Sequence, residues 1–185
     1  MHLHDFLPDW AIRATIPSMP SSLLESLRFL LVRDLRSLDQ QVAAYPDDDS
    51  LWITAPGISN SAGNLVLHLT GNLRHFFGAT FGNTGYVRDR AAEFATKGLS
   101  REALRRDIAA TIGDIESSVG RIDEAQLDRA YPLAIAERQV RTADFLVHLA
   151  VHLTYHLGQI DYHRRLLTPV PTPVENVSVR ELPEA

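Results

Sequence analysis

The chain has 185 residues, of which 45% are hydrophobic and 22% charged, and its net charge at pH 7 is −5. These values are typical of one globular domain with a core of ordinary size. The acidic balance and the lack of a basic stripe argue against nucleic acid as a partner. The absence of cysteine excludes disulfides, thiolate metal ligands and a protein thiol as nucleophile, and it fits a cytoplasmic protein.

The two ends of the chain are rich in proline, and we expect both to be irregular. Residues 1–20 form a lead and residues 168–185 a tail, so the predicted domain spans residues 21–167. The first residues lack a signal-peptide pattern, and the chain contains no run of 18 apolar residues, so we expect no membrane partner.

Apolar residues recur at the spacing of amphipathic helices in four segments, and capping residues suggest where each segment begins. In chain order these are Ser21 or Ser22 to about Tyr45, Asn60 or Ser61 to near Gly82, Arg101 to Val119 after Ser100, and Ala143 to about Leu167 after Thr142.

Two connections between these helices have features of their own. The one from about Gly82 to Leu99 is too long for a plain bundle turn, and long loops are often functional. Residues 131–135 and 139–141 read as short extended pieces that could pair as a hairpin. The predicted fold class is therefore all-α, an antiparallel four-helix bundle with a long connection between helices two and three.

The second predicted helix contains three glycines, Gly63, Gly71 and Gly78. Glycine weakens a helix intrinsically, but it also allows another element to approach the backbone closely. We therefore expect close helix contacts along this segment.

The last predicted helix carries two histidines on one face. His152 and His156 are four residues apart, which is about 40° around a helix and about 6 Å along it, so both imidazoles can bind one metal ion. The residues between them are mostly apolar, which predicts that this face lies inside the protein. His148 precedes the pair by four residues and is expected at the rim.

A metal site with an open position needs three protein ligands, so the third must come from another helix. The second helix offers His68 and His75, which are about 10 Å apart along the axis, and spacing does not decide between them. His163 lies seven residues after His156, too far along to join the same ion.

The histidines also permit readings without a metal. A buried histidine is often a hydrogen-bonded core residue, and imidazole is a suitable general base near neutral pH. No carboxylate stands in the register of a di-iron Glu-x-x-His site.

Three segments together resemble the DinB/YfiT-like family of metalloenzymes, in particular a branch with no assigned function. They are residues 64–76, 88–94 and 152–160, and the likeness covers roughly residues 21–167. In that family a four-helix bundle, often dimeric, holds a divalent ion through three positions that correspond here to His68, His152 and His156. The resemblance thus implies His68 rather than His75.

The resemblance also implies a function. Relatives include transferases and isomerases that use low-molecular-weight thiols such as mycothiol or bacillithiol. The expectation is a homodimeric, metal-dependent transferase or hydrolase acting on a small molecule, with zinc or nickel, or else iron or copper, in the site. Two alternatives stay open: a metal-stabilised dimeric module without activity, and a small-ligand-binding protein.

Two polar residues follow the implied ligands on their helices. Gln159 lies three residues after His156, and Asn72 four after His68. Either could orient a ligand or a bound water through a hydrogen bond, or could be an ordinary polar helix residue.

The long connection and the last helix supply further candidates. Arg88, Arg90 and Glu93 could form an ion pair that holds the connection in place, or Arg90 could bind an anionic substrate. We favour the structural role. Tyr155 lies about 100° from the histidine face, so packing is expected rather than catalysis.

Overall fold

The structure is a computed structural model that describes residues 23–168, 174 and 177–182. The predictions for residues 1–20 and for most of the Pro-rich tail lie outside these residues. The regular structure of the described residues is helical, and these residues contain no strand. Six α-helices follow in chain order: α1 (Leu23–Ala43), α2 (Ala62–Leu73), α3 (Arg90–Ala95), α4 (Arg101–Val119), α5 (Glu124–Leu127) and α6 (Thr142–Leu167). Short 3-10 helices occupy Asp49–Trp52 and Val179–Glu181.

Two of the predicted helix caps are confirmed. The hydroxyl oxygens of Ser61 and Ser100 each accept the backbone N–H three residues later, at 3.2 Å in both cases. The prediction for Thr142 is wrong, because Thr142 is already the first residue of α6 and the N-cap is Arg141. Arg141 makes no side-chain cap and instead pairs with Asp144 at 2.7 Å in the first turn, where an acidic residue suits the helix dipole. The candidate caps Ser21 and Ser22 precede the described residues.

The second predicted helix changes geometry before it ends. After α2 the chain continues as a π-helical turn over Arg74–Ala79, so the helical path stops three residues before the predicted end at Gly82. A π-helical turn shifts the backbone hydrogen bonds by one residue. Side chains bind two carbonyls there: Tyr131 donates to Phe76 O at 2.6 Å, and Thr80 donates to His75 O at 3.1 Å.

Each of α1 and α2 packs against both α4 and α6. The core between these four helices is aliphatic, because each helix places its apolar stripe inward. Its most deeply buried members are Leu31, Leu35 and Leu38 of α1, Leu69 of α2, Leu104, Ile108 and Ile115 of α4, and Leu146, Leu153 and Ile160 of α6.

Hydrogen bonds between α1 and α6 show that these two helices run in the same direction. Thr154 donates to Asp34 at 2.6 Å, and Gln41 donates to Asp161 at 3.1 Å, so later residues of α1 meet later residues of α6. Arg164 is fully buried between them and donates to Gln41 Oε1 at 2.7 Å. Gln41 and Asp161 thus each have a buried partner, whereas Arg164 Nη1 has none among the described residues.

The contacts between α2 and α6 show that these two helices run in opposite directions. His68 meets His152, and in the π-helical turn that follows α2 the ring of Phe76 meets Phe145, nearer the start of α6. α2 and α4 run in the same direction, because the segments that precede them are in contact and so are the segments that follow them. Trp52, before α2, donates to Leu99 O, before α4, at 3.0 Å. Arg121, after α4, donates to Gly82 O at 3.0 Å. This order brings the middle of α2 against the middle of α6, where the histidines lie.

The expectation of close contacts at the α2 glycines is confirmed. A Cβ atom at Gly63 would lie 2.7 Å from ring carbons of Trp52, and one at Gly78 would lie 3.0 Å from the Asp114 carboxylate. A Cβ atom at Gly71 would collide with the carboxylate of Glu93. Glycine at this last position therefore lets α3 approach the part of α2 that carries His68.

The predicted hairpin is present in rudimentary form. Residues 135–138 form a two-residue turn in which Ile135 and Arg138 exchange backbone hydrogen bonds of 2.9 and 3.0 Å. Ala136 and Glu137 both have positive φ, 48° and 62°, as a type I′ turn requires. Only isolated bridges form on either side, so no strand results.

Candidate metal centre

His68 of α2 and His152 and His156 of α6 form a cluster, called here the three-histidine cluster, in which one ring nitrogen of each lies within 4.8 Å of the others. His152 Nε2 is 3.2 Å from His68 Nε2 and 3.1 Å from His156 Nε2. A tetrahedral ion bound at about 2.0–2.1 Å would separate its nitrogen ligands by about 3.3 Å, and an octahedral ion by about 2.9 Å. The two distances that involve His152 lie between these two values.

The orientation of His68 is determined by Glu93. Both residues are buried, and His68 Nδ1 lies 2.9 Å from Glu93 Oε2, which can only accept there when ionised. Arg88 donates to the same carboxylate with Nε at 2.6 Å and Nη2 at 2.9 Å. His68 therefore carries its proton on Nδ1, and the lone pair of Nε2 points into the cluster.

The Arg88–Glu93 ion pair also controls the charge on Glu93. Burial by itself would raise the pKa of the Glu93 carboxyl, but hydrogen bonds from Arg88 and His68 outweigh burial and lower the pKa below its ordinary value. Glu93 is thus ionised at neutral pH and remains an acceptor for His68.

His156 is oriented by a residue of its own helix. Gln159 Oε1 lies 2.6 Å from His156 Nδ1, so the amide oxygen accepts the Nδ1 proton. As with His68, this leaves Nε2 without a proton and directed toward the cluster. A neutral imidazole with its second nitrogen hydrogen-bonded is the usual arrangement of a metal-binding histidine.

His152 lies between the other two rings, and its environment disfavours a positive charge. Burial, followed by the neighbouring His156 and His68, lowers the pKa of His152 to about 4. Burial likewise lowers the pKa of His156. At neutral pH these two imidazoles are therefore uncharged, which is the form that binds a metal. The donor set of the cluster fits a divalent ion.

The predicted burial of the histidine face is wrong. His152 and His156 are only half-buried, whereas the residue after each, Leu153 and Leu157, is 0% and 3% exposed. The core stripe of α6 is thus displaced by one residue, or about 100°, from the histidine face. The histidines lie at the boundary of the core, where small molecules can reach them.

The remaining histidines of the described residues lie outside the cluster. His148 is exposed and stacks on His152 with the ring centroids 6.0 Å apart, so its predicted place at the rim is confirmed. His75 packs against Phe76, and its Nδ1 is buried without a hydrogen-bond partner among the described residues. His163 binds Tyr45 and the carbonyl of Ile53, which agrees with the expectation that it is too far along α6.

The other sequence candidates contact the cluster less than expected or not at all. Asn72 is buried, and its Oδ1 has no partner among the described residues. Arg90 is exposed and lies over the ring of Phe94, and the ion pair of the connection uses Arg88 alone. Tyr155 is 63% exposed, and its ring packs against that of His156 with the centroids 5.1 Å apart.

Sequence reasoning missed Glu93 as the hydrogen-bond partner of His68. The two are 25 residues apart and belong to different helices, so no local spacing relates them. Two signals pointed to the contact: the need of a metal-binding histidine for an acceptor on its second nitrogen, and a glycine, Gly71, three residues after His68.

Long helices packed around a cluster of three histidines define a helical protein with a candidate metal centre. A family model described as the DinB superfamily matches residues 30–160, and the chain belongs to that superfamily. No curated protein and no solved structure gives a significant match. Within the described part of the chain, every helix is too short or too polar to cross a membrane.

Proposed function

We propose that this protein binds one divalent metal ion through His68, His152 and His156 and uses it to activate a small molecule. The observation that carries the proposal is the convergence of Nε2 atoms from two helices, with the Nδ1 protons of two of the rings accepted by Glu93 and Gln159. Three neutral imidazoles suit zinc or nickel, and also iron or copper.

The reaction we propose is a transfer or a hydrolysis on a small molecule. A bound ion would lower the pKa of a water or thiol and so supply a nucleophile at neutral pH. The chain has no cysteine, so any sulfur would come from a low-molecular-weight thiol such as mycothiol or bacillithiol. Arg88 and Glu93 hold His68 in place, and Gln159 holds His156, so that their lone pairs are aimed in advance.

We also infer that α1, α2, α4 and α6 form a four-helix bundle in up–down–down–up order. This order is supported by the parallel contacts of α1 with α6, the opposed contacts of α2 with α6, and the ion pairs of Arg105 with Asp39 and Arg101 with Asp48. It differs from a bundle in which every neighbouring pair is antiparallel. A homodimer stays a prediction of the family resemblance, for which light scattering on the purified protein is the test.

The first test is elemental analysis of untagged protein with two variants. We expect near-stoichiometric metal in the unchanged protein, loss of metal in His152→Ala, and retention in His148→Ala, which removes an exposed histidine one turn away on the same helix. Far-UV circular dichroism checks that both variants fold. Metal that persists in a folded His152→Ala would contradict the proposed site.

A second candidate function is a metal-stabilised module without turnover, which is favoured by the placement of the histidines on two different helices. Here the ion would link α2 to α6 and act on stability alone. The two candidates are separated by incubating metal-loaded protein with small thiols and electrophiles. Turnover that depends on the metal supports the enzyme, whereas a loss of melting temperature on chelation without any turnover supports the module.

A further inference from the structure

A cavity of about 520 Å³ opens beside the three-histidine cluster, at His156 and Gln159. One wall is the C-terminal half of α6, which contributes Tyr155, Tyr162 and Leu166. The facing wall is the loop of residues 55–60 that leads into α2. This volume is in the range of small-molecule sites, which is about 300–1,000 Å³.

The described residues that line this cavity include no Asp, Glu, Lys or Arg. Three of them present large side chains to solvent: Tyr155 is 63% exposed, Tyr162 66% and Leu166 79%. Exposed apolar and aromatic side chains grouped beside a polar centre are a mark of a binding site. A charged ligand would lose its hydration here without gaining an ion pair from these residues.

The polar side chains that line the cavity are uncharged: Ser59 and Asn60 in the loop, Tyr155 and Tyr162 on α6, and His156, Gln159 and His163. His156 and Gln159 are bonded to each other through Nδ1 and Oε1. His163 also lines the cavity, but both of its ring nitrogens are already engaged, at 2.7 Å from Tyr45 Oη and 2.9 Å from Ile53 O. The cavity is therefore lined by apolar and uncharged polar side chains, and His156 places one of its ends at the three-histidine cluster.

The facing wall is held in a defined shape. Ile58 donates to Ala55 O at 3.2 Å across Pro56 and Gly57, and Gly57 has φ of +86°, as expected for a type II turn. His163 ties the start of the loop to α6 through Ile53 O. A wall formed in advance lowers the entropy cost of binding.

On its other sides the cluster is bordered by rings. Phe94 lies 5.0 Å from His68 between ring centroids, and His148 stacks on His152. Arg88 lies over the ring of Phe76 while it binds Glu93. The cavity at His156 is thus an opening beside the cluster that is large enough for a ligand.

We propose that this cavity binds the uncharged, apolar or aromatic body of the substrate, and that a single donor atom of the substrate reaches the metal centre past His156. The inference rests on the proposed metal site and narrows the substrate class. It favours neutral molecules with a ring or an alkyl chain over carboxylates and phosphates.

The test uses cobalt-loaded protein and imidazoles that share one metal-binding nitrogen but differ in their bodies. The probes are 1-methylimidazole, 1-benzylimidazole and 4-(imidazol-1-ylmethyl)benzoate. Visible absorption of the cobalt reports coordination, and calorimetry gives the Kd. We expect 1-benzylimidazole to bind about tenfold or more tighter than either of the other two probes. It alone adds an uncharged phenyl ring to the imidazole, whereas 1-methylimidazole adds only a methyl group and the benzoate carries a negative charge.

Two variants on α6 test the location. Leu166→Glu is expected to weaken binding of 1-benzylimidazole about tenfold and to leave cobalt content and the Kd of 1-methylimidazole unchanged. Val147→Glu is the matched control, because Val147 is 40% exposed on the same helix and does not line the cavity. Val147→Glu should leave the Kd of 1-benzylimidazole and the Kd of 1-methylimidazole unchanged.

Four results would overturn the inference. Equal affinity for the benzyl and methyl probes, or an unchanged Kd in Leu166→Glu, overturns the cavity proposal while the metal centre stands. If cobalt-loaded protein coordinates neither 1-methylimidazole nor 1-benzylimidazole, the cavity proposal is also overturned, since the metal then offers no position to a donor atom from the cavity. Failure of the unchanged protein to take up cobalt or zinc overturns the proposed function, and the cavity proposal with it.

Discussion

At the scale of single residues, the site depends on side chains that would not themselves bind the metal. Glu93 accepts the Nδ1 proton of His68, and Arg88 keeps Glu93 ionised and in place. Gln159 performs the same task for His156 with a neutral amide. The proton on Nδ1 is thus held in place in both His68 of α2 and His156 of α6. A metal that binds at Nε2 therefore need not compete with a proton at that position.

The first prediction concerns Glu93. Glu93→Gln keeps the shape of the side chain but weakens the acceptor for His68 and leaves Arg88 without its carboxylate. Metal affinity should fall by about 10- to 100-fold, as is usual when such a partner is lost. Competition with a chromophoric chelator measures the metal affinity of each variant. Glu102→Gln, which removes an exposed carboxylate of α4, is the control, and equal affinities in the two variants would contradict the role of Glu93.

The second prediction concerns His163 and pH. Burial lowers the pKa of His163, although a hydrogen bond to Ile53 partly opposes it. The unfolded chain therefore binds a proton more readily than the folded one, so the stability contributed by His163 is complete above the unfolded pKa of about 6.5 and is lost as pH falls below it.

Denaturant unfolding of the unchanged protein and of His163→Gln at several pH values tests this assignment. The difference in unfolding free energy between the two should be constant above about pH 7 and should shrink toward pH 5. A difference that stays constant or grows as pH falls would show that His163 does not titrate in this way.

At the scale of elements, close packing of α3 against α2 places Glu93 beside His68. This contact requires the missing side chain at Gly71, since a Cβ atom there would collide with the Glu93 carboxylate. Asn64, earlier on α2, anchors the end of α3 by donating to Glu93 O at 3.0 Å and Thr96 O at 2.9 Å. The two elements therefore form one unit around His68.

The third prediction follows from this contact. Gly71→Ala should destabilise the protein by about 1–3 kcal/mol, as overpacking does, and should lower metal affinity because Glu93 must move. Gly113→Ala is the matched control, since Gly113 lies in α4 with nothing near its Cβ position. That variant should gain up to about 1 kcal/mol from helix propensity and keep its metal. If both variants behave alike, the close contact at Gly71 has no role.

At the scale of the whole molecule, the three-histidine cluster connects α2 with α6 through residues far apart in the chain, since His68 and His152 are 84 positions apart. α1 and α6 are joined independently by the buried contacts of Gln41, Asp161 and Arg164. A metal that binds only the folded arrangement therefore adds stability to a helical fold that already has a continuous core.

The fourth prediction concerns the stability that a bound metal adds. Zinc at about one hundred times its Kd should add about 2.7 kcal/mol, and for a chain of this size that raises the melting temperature by roughly 5–10 °C. A chelator should reverse the rise, and His148→Ala should show it unchanged. The same rise in His152→Ala would mean that zinc acts elsewhere on the protein.

Helix geometry made part of this protein predictable from sequence. The long helices, the caps at Ser61 and Ser100, and the shared face of His152 and His156 follow from spacing within a few residues, and the structure has them. The resemblance to a known family selected His68 over His75, which spacing left open, and the structure brings His68 to the pair.

The tertiary structure decided what depends on residues far apart in the chain. The parallel contact of α1 with α6, the hydrogen bond from His68 to Glu93 and the cavity between α6 and residues 55–60 arise from packing between elements. The half-exposure of the histidines has the same origin. A helix pattern states which residues share a face, but only the neighbouring helices determine how far the buried stripe extends around it.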